Sequence, residues 1–77
     1  MKRYKAIIQI REGILDNAGQ AVTHALGTIG FDGVSNVRIG KILEFSIDSR
    51  EKANQIAESQ TNNVMETWEL IELDEKD

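Results

Sequence analysis

Residue types that commonly carry chemistry are scarce in this sequence of 77 residues. It has a single histidine, His24, and no cysteine. At helical spacing His24 falls among polar positions, away from the apolar stripe of its helix, which indicates a solvated residue rather than a general base. The serines have no histidine in an arrangement that would activate a nucleophile. The sequence therefore predicts no catalytic residue in this chain.

Carboxylates and glycines are present, but their spacing does not favour a metal ion or a phosphate. Glu66, Glu69 and Glu72 have the spacing of a polar strand edge, and magnesium usually adds phosphate oxygens to one or two carboxylates. Gly40-Lys41 lacks the upstream glycine of a phosphate-binding loop and lies within a predicted strand. We predict neither a metal site nor a phosphate loop.

One cluster, residues 38–41 with the sequence Arg-Ile-Gly-Lys, suggests a purpose. Lys41 occupies an apolar position of the strand alternation, between Ile39 and Leu43. In one interpretation it marks a gap between two hydrophobic clusters, with its amine reaching water. In the other, Arg38 and Lys41 bind a carboxylate or phosphate on a partner. Gly40 permits a bend or the close approach of another backbone in either case.

The elements that must position this cluster begin with a long alternating segment, residues 34–47. Its apolar positions share one parity, as in a strand with one buried face: Val37, Ile39, Leu43, Phe45 and Ile47. A hairpin at Gly40-Lys41 would mix apolar and polar residues on both faces, so we favour one continuous strand. At roughly 3.3 Å per residue it would extend about 45 Å, whereas a compact chain of this length has a radius of gyration of about 11–12 Å. The pattern predicts that a partner covers part of it.

The other elements complete a β-α-β-α-β order. Strands are predicted over residues 4–11 and 65–73, the second with a parity break after Leu70 that indicates a bulge or a change of covering partner. Asp16 is predicted to cap a helix that ends near Ile29, and Ser49 to cap a helix over residues 50–61. The apolar positions of the two helices are Ala18, Ala21, Val22, Ala25, Leu26 and Ile29, and then Ala53, Ile56, Ala57 and Gln60. We predict a two-layer α+β domain, with helices on one face of a mostly antiparallel sheet and one long, bent central strand.

Composition limits the class of protein. We predict a single domain over residues 1–77, ending in a frayed acidic tail over 73–77. The net charge is −4, and no basic surface is indicated that would bind nucleic acid. No apolar run approaches the length of a membrane span. Burial is marginal at this size without disulfides, so self-association is expected, and the lack of cysteine suits the cytoplasm.

The sequence resembles the PurS family, the small subunit of phosphoribosylformylglycinamidine (FGAM) synthase. The resemblance spans nearly the whole chain and rests on an ordered set of motifs. These are Gly13-Ile14-Leu15-Asp16-Asn17-Ala18-Gly19, an Ala-Val helix with a Leu-Gly end, Val37-Arg38-Ile39-Gly40-Lys41 followed by Glu44, and Asn63-Val64-Met65-Glu66. The chain departs from the family at Asn17 and at Asn63, where proline is common, and it lacks a cysteine often seen late in the second helix.

The resemblance implies a subunit without catalysis of its own. Such a subunit joins a glutaminase to an ATP-dependent synthetase, which together convert formylglycinamide ribonucleotide (FGAR) to FGAM in de novo purine biosynthesis. It implies a dimer or tetramer in which the long strand crosses between two lobes, with ATP and Mg expected in the synthetase. It also makes six residues candidates for fold-defining or docking positions: Asp16, Gly19, Arg38, Gly40, Lys41 and Glu44. The alternative function is a regulatory α+β dimer that binds a small metabolite.

Overall fold

The computed structural model describes residues 1–73 of the chain. It contains five elements: β1 (Lys2–Ile10), α1 (Asn17–Thr28), β2 (Gly40–Ile47), α2 (Arg50–Ser59) and β3 (Glu66–Leu73). The three strands form one antiparallel sheet in the order β2-β1-β3. This arrangement confirms the α+β fold and the β-α-β-α-β order.

The core lies between α2 and β1, which is the middle strand of the sheet. Strand alternation places Tyr4, Ala6 and Ile8 on one face of β1, where each is at most 1% exposed. Ala53 and Ala57 of α2 are fully buried against this face, and their small side chains allow the helix to approach the sheet closely. Tyr4 pairs with Phe45 across the strands, with ring centroids 6.0 Å apart. The predicted stripe of α2 is confirmed except at Gln60, which is exposed and ends the helix.

The two helices begin at their predicted caps. The Asp16 carboxylate accepts a hydrogen bond from the Gly19 amide of α1 at 2.8 Å, and the Ser49 hydroxyl accepts one from the Lys52 amide of α2 at 3.2 Å. After α1, Gly30 has a φ of +104°. That left-handed conformation favours glycine and turns the chain out of the helix.

Helix α1 does not lie on the sheet. Among the described residues, α1 makes no contact with any strand or with α2, whereas α2 contacts all three strands. The prediction that both helices cover one face of their own sheet is therefore wrong for α1. Val22 and Leu26 are half-buried, but the other apolar positions of the stripe are exposed: Ala18, Ala21, Ala25 and Ile29.

The strand predicted over residues 34–47 is shorter than expected. Regular pairing begins at Gly40, opposite Gln9, and residues 34–39 belong to no strand. Asn36 has a φ of +59°, a left-handed conformation that interrupts extended backbone and that asparagine tolerates better than most residues. The alternation holds within β2, where Leu43, Phe45 and Ile47 are half-buried.

Strand β3 pairs with β1 without interruption from Ile10↔Glu66 to Arg3↔Leu73. The parity break after Leu70 is thus not a bulge. Ile71 instead lies on the face of the sheet opposite α2, with Ile7 and Ile42, and is 36% exposed. Leu73 is part of the strand rather than of a frayed tail, and the rest of the predicted tail, residues 74–77, lies outside the described residues.

The molecule is extended for its length. Its radius of gyration is 15.7 Å and its principal extents are 46 × 31 × 12 Å, whereas a compact chain of this length would have a radius of about 11–12 Å. Its accessible surface is 5584 Å², against about 4,700 Å² for a compact monomer of this length. The projection of α1 away from the sheet accounts for this shape.

Candidate functional site

The predicted candidate residues lie mainly where α1 joins the sheet. We call residues 17–36, which comprise α1 and the loop after it, the arm. Two chain segments, residues 11–16 and 37–39, connect the arm to β1 and β2, and we call them the neck. Asp16, Arg38 and the start of β2 at Gly40 all fall in or beside the neck.

Asp16 joins the two segments of the neck. One carboxylate oxygen accepts a hydrogen bond from the Gly19 amide at 2.8 Å, and the other accepts one from the Ile39 amide at 2.8 Å. Its side chain is nearly inaccessible, with 6% of the residue exposed. The amides of Ile39 and then Gly19 hold the pKa of Asp16 below its ordinary value, and the Arg38 guanidinium adds to this effect against the opposing effect of burial.

Arg38 makes the reciprocal connection. Its guanidinium donates hydrogen bonds to the carbonyl oxygens of Ile10 at 2.6 Å and Arg11 at 2.8 Å. Ile10 is the last residue of β1, and the Arg11 carbonyl also accepts a hydrogen bond from the Ile14 amide at 3.3 Å. Both hydrogen bonds come from one terminal nitrogen, Nη2, which carries two N–H donors.

Gly19 and Gly40 are positions where no side chain fits. A Cβ on Gly19 would collide with the Val37 carbonyl oxygen, because α1 approaches the returning neck segment closely there. A Cβ on Gly40 would collide with the Ile8 carbonyl oxygen and lie 3.0 Å from Gln9 Cγ. The contacts of Asp16, Gly19, Arg38 and Gly40 thus support the fold-defining interpretation for these four residues.

Lys41 and Glu44 lie on the surface of β2. Lys41 is exposed and makes no hydrogen bond or ion pair among residues 1–73. Glu44 pairs with Arg3 across the strands at 3.3 Å, an exposed contact of the kind that adds little stability. Lys41 is therefore the member of the cluster whose charge is open to a partner.

A groove of about 620 Å³ runs between α1 and the loop that returns from it. Its apolar lining includes Ile14, Leu15 and Val37, and its polar lining includes Gln20 and His24. His24 is exposed, as predicted, and stands on the polar side of α1. Across the described part of the chain, no three His, Asp or Glu side chains are grouped as metal ligands would be.

Two structural features, one in the neck and one at the end of the arm, were not predicted from the sequence. Arg11 donates a hydrogen bond to the Asn63 carbonyl oxygen at 2.8 Å and ties the neck to the turn before β3. Asn36 marks the left-handed kink that ends the extended segment before β2. The preference of asparagine for this conformation was the available signal for the kink. No signal pointed to Arg11, since its acceptor is a backbone atom 52 residues away.

Both the sequence and the fold of this chain match known proteins. The sequence model described as "PurS: Phosphoribosylformylglycinamidine (FGAM) synthase" matches residues 3–74. The chain belongs to the PurS family. The PurS subunit of FGAM synthase from Mycobacterium leprae is 40% identical over 74 residues, covering 91% of this chain and 94% of that relative.

Solved PurS structures share the fold over nearly the whole chain. A Bacillus subtilis PurS structure matches with a TM-score of 0.86 and 29% identity, covering 96% of this chain and 100% of that one. A chain in the structure of PurLQS from Thermotoga maritima matches with a TM-score of 0.69 and 26% identity, covering 94% and 96%. The extended shape with a projecting α1 therefore belongs to a PurS fold. In the described part of the chain, no helix has the length and apolarity needed to span a membrane.

Proposed function

We propose that this chain is the PurS subunit of FGAM synthase and acts as its assembly subunit. In this role it brings a glutaminase subunit, which releases ammonia from glutamine, to the ATP-dependent synthetase that converts FGAR to FGAM. The observation that carries the proposal is the match of the PurS family model to residues 3–74. The structural match to a chain of the Thermotoga maritima PurLQS complex supports the assembly role.

The chemistry of the reaction is assigned to the partner subunits. We propose that this chain supplies no catalytic residue and binds no cofactor, and that ATP and Mg act in the synthetase. Its one histidine is exposed on the arm, and Asp16, the carboxylate in the groove lining, already accepts two hydrogen bonds from backbone amides. For a subunit of a purine-synthesis enzyme we propose a cytoplasmic location, with proteins rather than nucleic acid or membrane as its partners.

Self-association is the second part of the proposal. The chain exposes about 900 Å² more surface than a compact monomer of this length. That excess is close to the ~800 Å² per partner buried in a specific protein interface. Because α1 contacts neither the sheet nor α2 among residues 1–73, we propose that a second copy covers its exposed apolar positions in an arm-exchanged dimer.

Reconstitution tests the assembly role. Glutamine-dependent FGAM formation by the glutaminase and synthetase subunits should require this chain, and ammonia-dependent FGAM formation by the synthetase alone should not. Unchanged glutamine-dependent activity when the chain is omitted would contradict the proposal. If small metabolites instead raise the melting temperature of the isolated chain, the alternative of a regulatory dimer is favoured.

Lys41 is the docking residue that the geometry favours. Lys41→Ala should weaken binding of the chain to its partner subunits, measured by titration calorimetry or co-sedimentation, and leave the self-associated state unchanged. Lys52→Ala is the matched control, because Lys52 of α2 is also exposed but pairs with the Asp48 carboxylate at 3.2 Å. Equal affinities for the two variants would remove Lys41 from the docking surface.

A further inference from the structure

The neck is held by one side chain from each of its two segments, each bonded to the backbone of the other. Asp16, on the outgoing segment, accepts the Ile39 amide of the returning segment at 2.8 Å. Arg38, on the returning segment, donates to the Ile10 and Arg11 carbonyls of the outgoing side at 2.6 and 2.8 Å. This reciprocal pattern fixes the two segments side by side, and with them the direction in which the arm leaves the sheet.

Chain length alone does not keep the arm open. A helix of 12 residues is about 18 Å long. The ten residues from Gly30 to Ile39 can span about 33 Å when extended, so they could return from the far end of a folded-back α1 to the start of β2. A closed monomer, with α1 lying on its own sheet, is therefore within reach of the covalent chain.

In a closed monomer α1 would bury its apolar face against its own sheet, and in an arm-exchanged dimer against the sheet of the second copy, so the connecting segments decide between the two states. We infer that Asp16 and Arg38 form a lock that holds the arm away from its own sheet and thereby selects the exchanged dimer over the closed monomer. The inference rests on the self-association proposed above. Asp16 and Arg38 are positioning residues, since they act through the backbone segments to which they are hydrogen-bonded.

The direction of the arm can be measured directly. Because the chain contains no cysteine, His24→Cys on α1 and Glu58→Cys on α2 give two specific spin-label positions, both exposed in the structure. Labelled chains are diluted in an excess of unlabelled wild-type chains, so that pulsed electron paramagnetic resonance reports distances within one chain. We expect a single long distance in the otherwise wild-type chain and an added shorter distance after Arg38→Ala or Asp16→Ala.

The same variants should shift the oligomeric equilibrium. Loss of two charge-assisted hydrogen bonds in Arg38→Ala should raise the dimer dissociation constant by about tenfold or more in sedimentation equilibrium. Arg38→Lys and Asp16→Asn, each of which keeps part of the bonding, should lie between wild type and the alanine variants, and they keep the test decisive if an alanine variant does not fold. Arg50→Ala, at the start of α2, is the matched control for Arg38→Ala. Asp48→Asn, two residues before α2, is the matched control for Asp16→Asn.

Two results separate the possible failures. A wild-type chain that is monomeric at micromolar concentration contradicts the proposed self-association. A wild-type dimer whose lock variants, folded by circular dichroism, keep both its label distance and its dissociation constant overturns the lock alone.

Discussion

At the scale of single residues, the charged side chains of Asp16 and Arg38 in the neck form hydrogen bonds with backbone groups. The Asp16 carboxylate meets two amides and the Arg38 guanidinium meets two carbonyls, so both charges are engaged within the chain. Lys41, only three residues after Arg38, makes no such contact among residues 1–73. Two cations that look alike in the sequence therefore differ in their contacts, and only the positions of their acceptors separate them.

Asp16 should make stability depend on pH in the acid range. Its pKa in the folded chain is below the ordinary 3.8 because backbone amides donate to the carboxylate. The stabilisation is therefore fully present above the unfolded value and is lost as the pH falls through the lower folded value. In urea titrations between about pH 5 and pH 2, Asp16→Asn should reduce the slope of unfolding free energy against pH.

The control for this experiment is Asp32→Asn. Asp32 is exposed in the arm and accepts no hydrogen bond from the described residues, so its variant should keep the wild-type slope. A wild-type slope in Asp16→Asn as well would mean that the carboxylate contacts do not form in solution.

Gly19 and Gly27 offer a second test, since both lie within α1. Gly19→Ala should destabilise the chain, because its Cβ would meet the Val37 carbonyl and overpacking typically costs about 1–3 kcal/mol. Gly27→Ala has no neighbour within 4 Å of the new Cβ and should stabilise by about 0.5–1 kcal/mol through helix propensity. Urea midpoints at one protein concentration provide the measurement, and two stabilising substitutions would show that α1 does not lie against the neck.

At the scale of elements, the two helices differ in what their apolar faces contact. Helix α2 lies on the sheet through Ala53 and Ala57, both fully buried. Ala53→Leu should therefore force α2 off the sheet or strain the core, lowering the unfolding free energy by about 1–3 kcal/mol. Gln55→Leu, at an exposed position of the same helix, should change it by no more than about 0.5 kcal/mol. Equal effects of the two substitutions would contradict the packing of α2.

The sequence predicted elements better than it predicted their placement. Apolar alternation and capping residues located all five elements, because both are local features of the sequence. The alternating residues Tyr4, Ala6 and Ile8 are buried, and Asp16 and Ser49 cap the helices. The break at Asn36 was missed, since one left-handed residue does not disturb apolar alternation. The projection of α1 was also missed, because an apolar stripe does not reveal whether its own sheet or another chain covers it. In the site, Arg38 was found, but its carbonyl acceptors carry no side-chain signal.

At the scale of the whole molecule, the short strand and the projecting arm together replace the long strand that the alternation suggested. The chain is still 46 Å long, close to the predicted length, but α1 and the neck provide much of it. The chain therefore still exposes an apolar surface that a partner would cover, but on a different element. The surface in need of cover is the exposed face of α1, not the extension of β2.

The exposed face of α1 gives the last prediction. Ala25 is exposed in that face, between Ala21 and Ile29, and an arginine there would place an unpaired charge in the proposed interface. Ala25→Arg should turn the self-associated chain into a monomer by sedimentation velocity, while circular dichroism keeps its helix and strand content. Gln20→Arg adds the same charge on the opposite side of α1 and should remain associated. Association of both variants would place the second copy elsewhere, and the strongest remaining surface is then the sheet face opposite α2, where Ile42 is 58% exposed.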